Sequence, residues 1–191
     1  MDHCKIGRVV GDQVEGYRYP NVWAAERVDG QSRLVIAPST GHVGVMLALM
    51  RALPEPFAFL YVALVPRGDH PMGRYESAPV DRRAAEGFLV TYAQLFEDDG
   101  GHHLWVASLA PERDADPIGQ LIYDQHDLIY AYGPLHDYED ILSHLDLTRI
   151  DGVAVPEPHV HRRNPELAAD YDALFDHWDW LQTPLLAEDD E

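Results

Sequence analysis

The sequence predicts an α+β fold: one domain with a mainly antiparallel β-sheet, or a mixed one, packed with about four helices. Three observations carry this expectation. Between residues 103 and 132 three short β-rich segments follow one another with only loops between them, the pattern of an antiparallel meander. Strand-like and helix-like segments are clustered and interspersed instead of alternating strictly. Helical spacing or capping signals begin at residues 42, 81, 134 and 164. A doubly wound α/β sheet is the alternative, because the segments from 33 to 66 can form a right-handed parallel crossover.

The elements follow in order. Residues 1 to 32 hold turn signals at Gly11-Asp12, Tyr19-Pro20-Asn21 and Asp29-Gly30 between strand-like stretches around Val9 to Val14 and Val22 to Val28, which predicts a hairpin or irregular cover. Arg33 to Pro38 reads as a short apolar strand. Ser39-Thr40-Gly41 then leads into an almost wholly apolar helix from His42 to Leu53, which Pro54 closes and which should be buried, with Ser39 or Thr40 as its cap. Phe57 to Val65 has the continuous apolarity of an interior strand. Asp81 caps a second helix, with Ala85, Phe88, Leu89, Tyr92 and Leu95/Phe96 on one side, that runs to Gly100-Gly101. His103 to Leu109, Ile118 to Tyr123 and Leu128 to Tyr132 form the meander. Proline at its first position opens a third helix at Pro134. Val153 to Val155 is a short candidate strand. Asn164 and Pro165 open a last helix whose apolar side runs Leu167, Tyr171, Leu174, Trp178 and Leu181. The globular domain is expected over residues 1–186, with 187–191 as a frayed acidic tail. No internal repeat is present.

At 191 residues the chain can bury about 70% of its unfolded surface, so one core suffices without staples. Cys4 is the single cysteine, which excludes an internal disulfide, and the N-terminus lacks the apolar run of a signal peptide; a cytoplasmic protein is expected. The longest apolar segments, 43–53 and 57–66, are interrupted by Pro54-Glu55-Pro56 and too short to span a bilayer, so no membrane association is expected.

Charge is segregated. Residues 1 to 95 carry ten acids and ten bases, whereas residues 96 to 191 carry 23 acids against four arginines and so hold the entire net charge of −19. Eight of the eleven histidines share that acidic half. Such a field disfavours nucleic acid and anionic lipid. It suits a basic protein partner, and the leading functional expectation is a non-catalytic binding protein of the immunity or antitoxin kind, with charge steering the encounter and an aromatic side chain as anchor. The residues expected to meet that partner are Glu97, Asp98, Asp99, Asp124, Asp127, Asp137, Asp140 and Trp180. Glu97, Asp98 and Asp99 stand out because they oppose the dipole at a helix C-terminus.

The second expectation is a metal-dependent hydrolase. His159 and His161 bracket one residue in an extended segment, so both imidazoles face one side, which is how a strand offers two ligands to one divalent ion. Asp151, Glu157, Asp176 or His177 would have to complete the set, and the adjacent Arg162 and Arg163 weigh against a cation. No other cofactor is indicated. Adjacent His102 and His103 face opposite sides of a strand, and Asp124, His126 and Asp127 crowd one turn. The third expectation is a small-ligand pocket lined by Tyr130, Tyr132, Tyr138 and Trp105. No phosphate loop, dinucleotide fingerprint or serine elbow is present.

Overall fold

Burial alternates along much of the β-rich segments. Phe57, Phe59, Tyr61, Leu104, Val106, Leu121 and Tyr123 occupy alternate positions and are fully buried, and Ala58, Leu60, Trp105 and Ile122 between them are half-buried, although Val62 and His103 are buried too. One face of a sheet thus builds the core, and the other stays partly open.

The computed structural model describes residues 4–112 and 115–190. In chain order the elements are β1 (Ile6–Val10), β2 (Gln13–Gly16), β3 (Val22–Val28), β4 (Gln31–Ala37), α1 (His42–Met50), β5 (Phe57–Ala63), β6 (Gly73–Glu76), α2 (Arg82–Thr91), α3 (Ala93–Asp98), β7 (His102–Ser108), β8 (Gly119–Tyr123), β9 (Ile129–Tyr132), α4 (Leu135–His144), β10 (Thr148–Arg149), β11 (His159–His161), α5 (Ala168–Phe175) and β12 (Leu181–Thr183), with 3-10 turns at Pro165–Leu167 and Ala187–Asp190. Nine strands form the main sheet in the order β10-β3-β4-β9-β8-β7-β5-β6-β12, and β11-β1-β2 form a smaller sheet. Every pairing is antiparallel except that of β10 with β3. The α+β expectation holds, and the β7-β8-β9 meander forms as read. The doubly wound alternative does not, because β4 and β5 lie three strands apart in the sheet. No helix of the described residues is long and apolar enough to cross a membrane.

The large core joins the inner face of the main sheet to side chains from all five helices, including Val43, Met46, Leu49, Phe88, Phe96, Tyr138, Leu142 and Leu174. A second, smaller core lies on the opposite face: Ile6, Tyr19, Val22, Val35, Ala37 and Leu128 pack the small sheet over one end of the main one. Gly100 makes part of this joint possible. A Cβ there would stand 2.6 Å from the Lys5 carbonyl oxygen and 3.2 Å from that of Arg162, so only glycine allows the strand ends to close upon it.

The acids at the end of the second predicted helix are explained by tertiary partners. That helix breaks at Tyr92 into α2 and α3. α1 begins at Gly41, which adopts a left-handed φ of 72° and has no side-chain cap, so neither Ser39 nor Thr40 serves as predicted. Instead Glu97 accepts the Val43 amide at 2.8 Å, placing a carboxylate at the positive end of α1. Asp99 is fully buried; it pairs with Arg67 and accepts the amides of Gly101 and Asn164 at 2.9 and 2.8 Å. Asp99, assigned by the sequence to a partner surface, is thus an internal support with no exposed area, while Glu97 is half-buried.

Other elements also differ from expectation. β6 was not foreseen, Val153 to Val155 is not a strand, and α5 ends at Phe175. Beyond it the chain turns so that Trp178 stacks on Phe88 with centroids 4.3 Å apart. Trp180 donates its indole N–H to the Leu174 carbonyl at 3.0 Å and is half-buried, so it is not the exposed anchor expected of it. The final residues do not fray as predicted: Ala187–Asp190 form a 3-10 turn in which Asp189 is buried against Arg74 at 2.6 Å, while Glu191 lies outside the described residues.

Replacing Asp99 with alanine would strand the Arg67 guanidinium and two buried amides. The expected loss is about 3–5 kcal/mol in urea denaturation, and a loss below about 1 kcal/mol would show that the ion pair supports little.

Candidate metal centre

The small sheet brings two histidines to the main one. β11 pairs with β1 so that Ile6 lies opposite His161 and Arg8 opposite His159. Ile6 points into the core between the sheets, so His159 and His161, in register with it on alternate residues, share its side. They face the same way, as the spacing predicted. Arg162 points to the other side, where its side chain lies against Gly7 and Gly16, and the sequence-based objection to a cation loses half its force.

The third histidine comes from the β8-β9 hairpin. Asp124 closes this turn by accepting the backbone amides of His126 and Leu128 with Oδ1, both at 2.9 Å. Its other oxygen lies 2.8 Å from His126 Nδ1 and accepts the Tyr130 hydroxyl at 3.4 Å. Burial alone would raise the carboxyl's pKa; the His126 imidazole and the Leu128 amide outweigh it and hold Asp124 below its ordinary value. Asp127, the residue with φ of 65° in the same turn, faces the core, where it accepts the Tyr123 hydroxyl at 2.6 Å and lies 3.3 Å from His42 Nε2. Asp124 and Asp127, expected at a partner surface, are 4% and 6% exposed and present little area to one. Of the acids assigned to one, Asp137 and Asp140 are exposed on α4 and Asp98 is half-buried.

His126, His159 and His161 converge. One ligand nitrogen from each lies within 4.8 Å of the others, and their ring centroids are 4.9 to 5.3 Å apart. Tetrahedral zinc with bonds of about 2.0–2.1 Å places its nitrogens about 3.4 Å apart, so the rings would have to draw in to close on an ion. His126 Nδ1 lies 2.8 Å from Asp124 and His161 Nδ1 lies 3.1 Å from the Gln125 carbonyl, whereas His159 Nδ1, 3.4 Å from the Glu157 carboxylate, makes no hydrogen bond among the described residues. Acceptors on Nδ1 of His126 and His161 select the tautomer that leaves Nε2 free for a metal. Burial, then the neighbouring His126, lowers the pKa of His161 and favours the neutral form that ligates.

The other ligands considered do not join. Glu157 supports His159 from its Nδ1 side, His177 lies 3.2 Å from the Tyr92 hydroxyl, and neither Asp151 nor Asp176 belongs to the cluster. Sequence reasoning singled out His126 in its turn without connecting it to His159 and His161.

Four further groups escaped notice or gained a role. Lys5 is fully buried, its ammonium 3.6 Å from the centroid of the Tyr123 ring and without a hydrogen bond among the described residues; burial lowers its pKa to about 8, against the pull of Asp127 and Asp124. His42 stacks on Tyr123 at 5.0 Å. His102 stacks on Tyr61 at 5.2 Å inside the core, with neither ring nitrogen bonded, whereas His103 lines the open face. The two neighbours face opposite sides, as alternation required. The fold and the site define an α+β protein with a three-histidine cluster where two sheets meet. No protein-family model, curated protein or solved structure matches the chain.

Burial holds His42 and His102 below their ordinary pKa of 6.5 and takes His103 to about 4. The unfolded chain therefore takes up protons on these rings below pH 6.5 while the folded chain resists, so stability is full above that pH and falls as pH drops toward 4. Urea midpoints should decline across this window, and His102→Phe, with its ring between Tyr61 and Phe96, should shallow the decline. A level midpoint would contradict this account.

Proposed function

We propose that this chain is a metalloprotein that holds one divalent ion of the zinc class on His126, His159 and His161. The observation that carries the reading is the convergence of three imidazoles from two separate sheets, two of them with an acceptor on Nδ1. Imidazole is a preferred ligand of zinc, copper and nickel, whereas calcium and magnesium prefer oxygen.

Three protein ligands leave a position for water, the arrangement of catalytic rather than structural zinc sites. The ion would lower the pKa of that water to about 7 and supply hydroxide for hydrolysis at neutral pH. His126 and His159 keep 15% and 14% of their side chains exposed and His161 more, so the cluster is open to solvent. The alternative of an acidic face for a basic partner rests on net charge, because Asp99, Asp124 and Asp127 are spent inside the fold.

Protein purified without a histidine tag, stripped with chelator and dialysed against zinc should retain about one equivalent by elemental analysis, and less than about a tenth would end the proposal. His126→Ala and His161→Ala should each abolish retention while leaving the far-ultraviolet circular dichroism unchanged. Asp124→Asn should fold and bind about 10–100-fold more weakly, because His126 loses the carboxylate that orients it. Unaltered affinity in that variant would remove Asp124 from the centre.

A further inference from the structure

The outer face of the main sheet carries a second feature that the metal centre does not use. Trp105 on β7 lines three adjoining cavities of about 300, 390 and 360 Å³ on this face. Cross-strand register explains their shared floor: Leu60 lies opposite Trp105, Trp105 opposite Ile122, and Ile122 opposite Tyr130. Four strands thus contribute one continuous apolar row, with Tyr132 beside it. Tyr138, expected in this wall, is fully buried in the core instead.

Two buried nitrogens in the lining have no hydrogen-bond partner among the described residues: the indole Nε1 of Trp105 and Nε2 of His103. His103 itself is only 8% exposed. Leaving such a group unmatched costs about as much as a lost hydrogen bond, so both favour a ligand that carries a partner for them. Indole N–H is a donor only and requires an acceptor, while the imidazole tautomer can adapt to the ligand. The lining offers no unpaired cation among the described residues, since Arg33 is held by Glu26 at 2.5 Å and Arg74 by Asp189 at 2.6 Å. Glu76, Asp116 and Asp124 add negative charge around the trough, which disfavours an anion.

Arg33 covers the Tyr130 end of the row, its guanidinium 4.2 Å from that ring's centroid. From the apolar row, the two unmatched nitrogens and the neutralised arginines, we propose that this trough binds a neutral, planar aromatic molecule bearing an oxygen acceptor, which packs over the Trp105 part of the row and accepts from Trp105 Nε1. Stacking on the row selects the ring system, and the acceptor selects among rings of one size. The proposal goes beyond the metal reading and does not depend on it.

Coumarin and naphthalene test this directly, being bicycles of similar shape of which only coumarin carries a lactone oxygen. Isothermal titration of zinc-free protein should show saturable coumarin binding about tenfold tighter than that of naphthalene, the worth of one good hydrogen bond. Trp105→Phe, which removes the N–H and keeps an aromatic ring, should bring the two affinities together, and His161→Ala should leave both unchanged. Should Trp105→Phe fail to fold, the comparison on the unaltered protein decides alone. No saturable coumarin binding at millimolar concentration, equal affinities for the two probes, or a preference that survives Trp105→Phe would each overturn the proposal. Loss of zinc binding with coumarin selectivity intact would defeat the metal reading only.

Discussion

Much of this structure depends on the buried carboxylate of Asp124. It accepts two backbone amides and faces an imidazole and a phenol, so the turn between β8 and β9 has one conformation open to it. Hydrogen bonds to a charged group contribute about 1.5–3 kcal/mol each, and an acid this deeply buried would be untenable without several of them. The locked turn then presents its own backbone outward. His126 offers its carbonyl to the Tyr19 hydroxyl at 3.2 Å, and Gln125 offers its carbonyl to His161 at 3.1 Å. The small sheet docks against a hairpin tip that Asp124 has shaped, and the three imidazoles meet as a consequence.

The same economy runs through the acidic half of the chain. Glu97 caps α1, Asp99 joins Arg67 to the chain at Asn164, Asp127 binds Tyr123 beside His42, and Asp189 fastens the C-terminal segment to Arg74. Each carboxylate meets donors that would otherwise be buried and unmatched. Five of the 23 acids in this half thus serve inside the fold. What stays exposed on α4 and along α5 is an ordinary solvated helix face.

How far the sequence foretold this varies with the range of the forces involved. The meander of β7, β8 and β9 was legible because hairpin pairing is local and apolar alternation persists through all three strands. The shared orientation of His159 and His161 was legible for the same reason, since a period of two is a local property. Their union with His126 was not, because it depends on β11 pairing with β1 and on the small sheet docking at the hairpin tip. The last helix was overextended: Trp178 and Leu181 continue the spacing of Leu167, Tyr171 and Leu174, but stacking on Phe88 turns the chain after Phe175. β6 was hidden by the opposite fault. A four-residue edge strand reading Gly73-Arg74-Tyr75-Glu76 has too few apolar residues to announce itself, and pairing with β5 and β12 creates it.

In the proposed metal site, a hairpin shaped by a buried acid delivers the third ligand to a strand that carries the other two. Anomalous diffraction at the zinc absorption edge, from crystals grown with zinc, is the decisive measurement. One strong peak is expected about 2.0–2.1 Å from a nitrogen of His126, His159 and His161 alike, with Asp124 still bonded to His126 Nδ1. A peak held by two of these imidazoles and a surface acid, or no peak between the two sheets, would contradict it.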